Sequence, residues 1–231
     1  MSSLPRAIPL YLGYFCWGAL ATGVLGRGIL KRRSVYPAAI AGALSFELLR
    51  FTQIPLQSGY FTHVYGLLLN AGVPDLLAVS GMALISGIVQ EAFKSAITGV
   101  RFFSLRGTRT VRMGIGIGAL TGAGFGIYEA SSLTGVPYSL GLLGTVAVIE
   151  RAIAIVFHVG TGALAGYGFA TRRPLRFVLL AMLIHGTVNY LIFPFRMGKF
   201  SMELFYLLIG AMTSAVFLWM LVRTANRSMS H

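Results

Sequence analysis

Apolar runs of bilayer-crossing length alternate with short polar or basic segments along nearly the whole chain. About 20 consecutive apolar residues span the hydrocarbon core as a helix. On that measure the pattern predicts seven helical spans, at about residues 8–25, 35–54, 74–102, 113–133, 143–170, 175–193 and 202–222. The second is expected to end at Pro55. The third begins near Pro74, a favoured first-turn position, and is longer than a bilayer requires, which predicts tilt or a break. Residues 56–73 are mixed, with a turn of interfacial helix expected near Tyr65 to Asn70, and a neutral loop is expected around Gly135-Val136-Pro137.

The polar positions inside these spans are the unusual feature. Gln90-Glu91-Ala92-Phe93-Lys94 interrupts the third run. At about 1.5 Å per helical residue, Glu91 lies about 15 Å from the basic end of its helix. A carboxylate there costs on the order of 2.5–3.5 kcal/mol on insertion scales, so an acid kept at that depth is a functional candidate. Lys94, one turn on, can share its charge. Glu47 with Arg50, Glu129, Glu150 with Arg151, His158 and His185 also fall within spans. Glu47 and Arg50, three apart, read as a structural ion pair. Glu129 has no basic residue within a turn and needs either a proton or a partner from another helix. Glu150 and Arg151 are adjacent and should not face each other, whereas Arg151 and His158 are seven apart and share a face. His185 and Asn189 form one polar stripe on an otherwise apolar helix.

Depth draws these groups together. Counted from the basic side, Glu91, His158, His185 and Asn189 fall about 14–21 Å deep, and Glu129 about 25 Å. Four helices thus place polar groups in one slab, which predicts a shared, hydrated site. Gly114, Gly118, Gly122 and Gly126 recur every fourth residue on the fourth span, and His158, Gly162 and Gly166 repeat the interval on the fifth. Small residues so spaced let helix backbones approach closely, which would hold Glu129 and His158 rigidly.

Composition fixes the class. The chain has 231 residues, 56% hydrophobic and 11% charged, with a mean hydropathy of +0.77, which excludes an ordinary soluble domain. The expected fold is all-α: a polytopic helical membrane protein of one domain over residues 1–231, with a motif-bearing core at about 74–194. A net charge of +13 could suggest nucleic acid, but the basic residues lie in short loops, where topology and anionic lipid explain them better. Arg27, Lys31, Arg32, Arg33, Arg101, Arg106, Arg109, Arg112, Arg172, Arg173, Arg176, Arg223 and Arg227 all fall on one side of a seven-span chain. Only Arg6, Arg196 and Lys199 fall on the other, so the N-terminus is expected outside and the C-terminus inside. The single cysteine, Cys16, allows no internal disulfide.

Four short motifs then carry a resemblance. Glu91-x-x-Lys94, Phe125-x-x-x-Glu129, His158-x-x-x-Gly162 and His185-x-x-x-Asn189, in order on successive helices, resemble the PrsW family of membrane proteases. Glu150-Arg151 leading to His158, a basic loop and then His185 also resembles the YhfC family of membrane peptidases. Both are similar to the CAAX prenyl endopeptidase and bacteriocin-processing superfamily of glutamate intramembrane proteases. The resemblance covers about residues 85–192. It implies a multi-pass protein of a prokaryotic plasma membrane that hydrolyses a peptide bond in a membrane-inserted or lipidated substrate. It further implies that Glu91 and Glu129 serve water activation, and that His158, His185 and Asn189 stabilise the oxyanion. Gln90, Lys94, Phe125, Glu150 and Arg151 would support them, with no cofactor required.

One position departs from the family. The first motif there begins with two glutamates, and Gln90 stands in place of the first. An amide is not a general base, and a helical step of about 100° keeps Glu91 from simply replacing it. A non-proteolytic scaffold is therefore an open alternative; the gamma-secretase scaffold subunit resembles this superfamily, with seven helices, an outside N-terminus, glycine-spaced packing and buried histidines. A zinc hydrolase is another, since Glu91, Glu129, His158 and His185 could ligate a metal, although no His-Glu-x-x-His helix is present and Lys94 disfavours a cation. A transporter with a charge relay is a third.

Overall fold

A computed structural model describes residues 4–26, 28–105, 109–133 and 142–226. The expected loop at Gly135-Val136-Pro137, together with Arg27, Arg106 and Arg227, lies outside the described residues. Among the described residues every regular element is helical. The long helices are α1 (Leu4–Gly26), α2 (Tyr36–Glu47), α6 (Ser80–Ser104), α7 (Val111–Leu133), α8 (Leu142–Ala170), α9 (Pro174–Arg196) and α10 (Met202–Asn226). Between α2 and α6 run α3 (Gln53–Tyr60), α4 (Gly66–Asn70) and α5 (Asp75–Ala78).

Five helices are long and apolar enough to cross a membrane: Ile8–Gly26, Asp75–Ser104, Val146–Ala170, Pro174–Arg196 and Met202–Ala225. That is compatible with a multi-pass membrane protein. The burial pattern agrees, because large apolar side chains such as Phe15, Phe51, Val100 and Leu175 face outward while Glu91 and Lys94 are fully buried. Two expected spans fall outside these five for different reasons. Helix α2 has only 12 residues, and α7, at 23 residues, is diluted by glycine.

The stretch after α2 differs from expectation. Helix α2 tightens into a 3-10 turn at Leu48–Phe51, and the chain continues as α3 rather than stopping at Pro55. Pro55 lies in the first turn of α3, where its missing N–H deprives no helical bond. The segment expected to be mixed is therefore helical through α4, passing a wider turn at Phe61–Tyr65. The expected break in the third span is found at Val79. There the Met82 N–H bonds the Val79 carbonyl at 3.0 Å, one residue short of the helical repeat. The Ala78 carbonyl instead accepts the Tyr60 hydroxyl at 2.6 Å, and Gln57 Nε2 donates to the Met82 carbonyl at 2.9 Å. The break thus anchors α3 on α6.

Helix α7 is the axis of the fold. Gly114 through Gly126 is buried without interruption, and α7 packs most extensively against α8, then α2 and α1. Glycine makes this possible. A Cβ at Gly114, Gly118 or Gly122 would fall on the carbonyl oxygen of Gly166, Gly162 or His158 respectively, and Gly162 and Gly166 meet α7 carbonyls in return. The two backbones are therefore in antiparallel contact. On the opposite face, Gly124 abuts the Ala39 carbonyl and Gly42 that of Thr121, docking α2 equally closely. Only helices lacking Cβ atoms at these positions can approach so far.

Gly118→Leu is expected to separate α7 from α8. Overpacking of this kind costs about 1–3 kcal/mol, read as a lowered melting temperature of the detergent-solubilised protein, with Gly13→Leu, which has open space at its Cβ, as the unaffected control.

Candidate functional site

The glycine seam delivers His158 to the centre. Gly126 leaves room for its ring, since a Cβ there would meet the His158 Cβ and Cδ2 at 3.1 Å. Phe125 from α7 lies against the same ring at 4.9 Å between centroids. Helix α6 contributes Glu91 and Lys94 on one face, one turn apart, and α9 contributes His185 and Asn189 on its inner stripe.

These side chains form one hydrogen-bonded chain. Glu129 Oε2 meets His158 Nε2 at 2.6 Å, and His158 Nδ1 meets Lys94 Nζ at 2.9 Å. Lys94 Nζ donates to Glu91 Oε1 at 2.6 Å and to Thr161 Oγ1 at 3.0 Å, and His185 Nδ1 meets the same Glu91 oxygen at 2.7 Å. The number of donors fixes the tautomers. An ammonium at Lys94 uses its three hydrogens on Glu91, Thr161 and His158. His158 therefore accepts at Nδ1 and donates Nε2–H to Glu129. Glu91, as a carboxylate, only accepts, so His185 presents Nδ1–H to it, and a neutral His185 has its lone pair on Nε2. The Lys94 ammonium also lies 5.3 Å from the centre of the Phe125 ring, close enough for a cation–π contact.

Two adjoining cavities border this chain. The inner, about 70 Å³, is lined by Glu129, Arg151, His158, His185, Asn189 and Thr213, among others. The outer, about 430 Å³, shares Glu129, Glu150, Arg151 and Asn189 with it and adds Ser86, Gln90 and Arg196. Glu91 and Lys94 line neither; both have 0% side-chain exposure and sit behind the histidines. The two carboxylates are thereby distinguished: Glu129 reaches the cavities, and Glu91 backs His185.

The groups expected to share a depth are brought together, including Glu129. Counting residues along a straight helix puts it deeper than the rest, but its carboxylate contacts His158 directly. The expectation for Glu150 and Arg151 is corrected. Although adjacent on α8, they form an ion pair, because a long guanidinium side chain can fold back along the helix. Glu47 and Arg50 pair as expected, and Glu47 also accepts the Tyr128 hydroxyl at 2.6 Å. His158, with both nitrogens engaged, has no free hydrogen for an oxyanion. Asn189 Nδ2 donates to Ser86 Oγ at 2.8 Å and keeps its second hydrogen.

Several participants carry no motif. Ser86 lies one turn before Gln90, Thr161 three residues after His158, and Gln53 and Gln57 one turn apart on α3. Thr213, from α10, has a buried hydroxyl without a hydrogen-bond partner. The i, i+4 spacing of the two glutamines was the only sequence signal among them.

Glu91, His158 and His185 offer three ligand atoms within 4.8 Å of one another, a grouping that could hold a metal. Lys94 Nζ, however, already contacts two of the three at 2.6 and 2.9 Å. The fixed ammonium thus takes the place a metal cation would need, and the fit is poor.

No family model, curated protein or solved structure matches this chain.

Lys94→Met removes the only cation paired with the buried Glu91 among the described residues and leaves the carboxylate with His185 alone as a partner. Breaking a buried pair from one side costs about 3–5 kcal/mol, while replacing both partners by apolar groups is often close to neutral. The single variant is expected to lower the melting temperature strongly and Glu91→Leu/Lys94→Met to recover most of it, both measured in detergent.

Proposed function

We propose that this chain is a membrane-embedded peptidase of the kind its PrsW-like and YhfC-like motifs imply. It would cross a prokaryotic plasma membrane seven times, N-terminus out, with α2 and α7 completing the five apolar helices. The observation that carries this reading is the His185–Glu91 pair facing Glu129 at the inner cavity. An imidazole whose Nδ1–H is held by a buried carboxylate presents a basic Nε2, the arrangement by which a third group orients a catalytic base.

The chemistry follows from the tautomers. Glu129, held by His158, accepts one hydrogen of a water in the inner cavity and aims the water's oxygen at the substrate carbonyl. His185 Nε2 takes the other proton as the oxygen–carbon bond forms. The resulting imidazolium is stabilised by Glu91, and the spare N–H of Asn189 faces the developing oxyanion. His185 then returns its proton to the leaving nitrogen as the carbon–nitrogen bond breaks. Lys94 and His158 act as positioning residues, and no metal is required.

Glu129→Gln and His185→Gln are each expected to lower cleavage of a single-span reporter by about 10²–10⁴-fold with normal membrane levels; wild-type cleavage by either overturns the reading. Treatment of the purified protein with a zinc chelator is expected to leave cleavage unchanged, whereas loss restored by zinc would favour the metal alternative. Gln90 favours a second reading, a scaffold without hydrolysis. In that case the same two variants would alter co-purification with a membrane partner, and the wild type would cleave no reporter.

A further inference from the structure

The outer cavity has one wall built of amides with a fixed direction. Gln57 Nε2 donates to the Met82 carbonyl at 2.9 Å, in the first turn of α6 just past the break in the third span. Gln53 Nε2 donates to Gln57 Oε1 at 3.3 Å, and Gln90 Nε2 to Gln53 Oε1 at 3.0 Å. Each amide thus points its nitrogen toward the Met82 carbonyl and its oxygen back toward Gln90. At the end of the run, Gln90 Oε1 is buried without a partner, on a side chain only 5% exposed that lines the cavity. Turning the Gln90 amide over would set its oxygen against that of Gln53, so the relay holds the acceptor in place.

Ser86 supplies the complement. Its oxygen receives Gln90 Nε2 at 3.0 Å and Asn189 Nδ2 at 2.8 Å, which occupies both lone pairs and leaves the hydroxyl hydrogen to be given away. Ser86 lines the same cavity. An unused acceptor and an unused donor therefore sit one helical turn apart on α6, beside Glu129 and Asn189. A buried polar group without a partner is costly, so the Gln90 oxygen and the Ser86 hydroxyl hydrogen call for a ligand that offers one donor and one acceptor. An extended peptide residue offers this pair on one side, in its own N–H and C=O.

We propose that the outer cavity holds the main chain of one extended substrate residue, its N–H donated to Gln90 Oε1 and its carbonyl accepting from Ser86. This deepens the hydrolase reading and rests on it for the adjoining cavity being the place of cleavage. It also gives Gln90 a task that a glutamate would do less well, because a carboxylate has no hydrogens for Gln53 and Ser86.

The test uses full-length Glu129→Gln protein in phosphatidylethanolamine–phosphatidylglycerol vesicles, so that bound peptide is not turned over. The probe is a lysine-flanked leucine–alanine peptide of one membrane span with a photoreactive leucine, made as a series with one backbone amide at a time replaced by an ester. An ester keeps the carbonyl and removes the N–H. At one position the replacement is expected to lower photocrosslinking about tenfold. Adding Gln90→Leu should abolish that discrimination, while Gln90→Glu, which retains an acceptor oxygen, should preserve part of it. No position of discrimination, or the same discrimination in Gln90→Leu, overturns the proposal. Cleavage of the all-amide peptide by wild-type protein is scored separately. Discrimination without cleavage supports this subsite and removes the hydrolase reading; cleavage without discrimination does the reverse.

Discussion

The site depends on one cation in an apolar interior. Lys94 is fully buried, and an ammonium there is tolerated only where every hydrogen finds an acceptor. It finds one from its own helix, Glu91, and two from α8, His158 and Thr161. That requirement fixes more than stability. With its three hydrogens committed, it dictates which nitrogen of His158 donates and, through Glu91, which nitrogen of His185 is left bare. The protonation pattern at the cavity is thus set by a residue that does not reach it.

Such a network needs helices held within a fraction of an ångström, and side chains alone do not provide this. The α7–α8 seam does, because backbone meets backbone where Gly114, Gly118 and Gly122 face Gly166, Gly162 and His158. A side-chain interface can repack when a neighbour moves; a carbonyl resting on a glycine has no such freedom. His158 belongs to both systems, its carbonyl in the seam and its ring in the hydrogen-bonded chain. Packing and chemistry are therefore joined at a single residue.

Much of this was legible in the chain because its signals are local. Apolar length and four-residue glycine spacing are properties of single helices; the glycine spacing reappears as the α7–α8 seam, and five of the expected spans are long and apolar enough to cross a membrane. Buried charge is expensive enough that Glu91, Lys94, Glu129, His158 and His185 stand out against their surroundings without knowledge of the fold. What was not legible depends on geometry between helices. Residue counting placed Glu129 a few ångströms beyond the others, and only the structure shows its side chain bridging that gap to His158. Adjacency misjudged Glu150 and Arg151, because a rule about helix faces does not bind a side chain as long as arginine. Ser86, Gln53, Gln57 and Thr213 are unremarkable polar residues until the break at Val79 turns α3 toward α6 and α10 closes the inner cavity. Pro55 misled for a similar reason, since the same residue suits the end of one helix and the first turn of the next.

Gln90 shows how a departure from a familiar pattern acquires meaning only in three dimensions. Compared with the motif it resembles, it is a missing base. Within the structure it completes a directed run of amides that begins at the Met82 carbonyl, and a carboxylate at the same place would break that run at two points. In the proposed reaction a base at position 90 is also not needed, because the cavity is bordered by Glu129 on one side and by a Glu91-backed imidazole on the other. An amide that binds and a carboxylate that orients can then occupy consecutive positions, since the turn of about 100° between them directs one toward the outer cavity and the other behind His185.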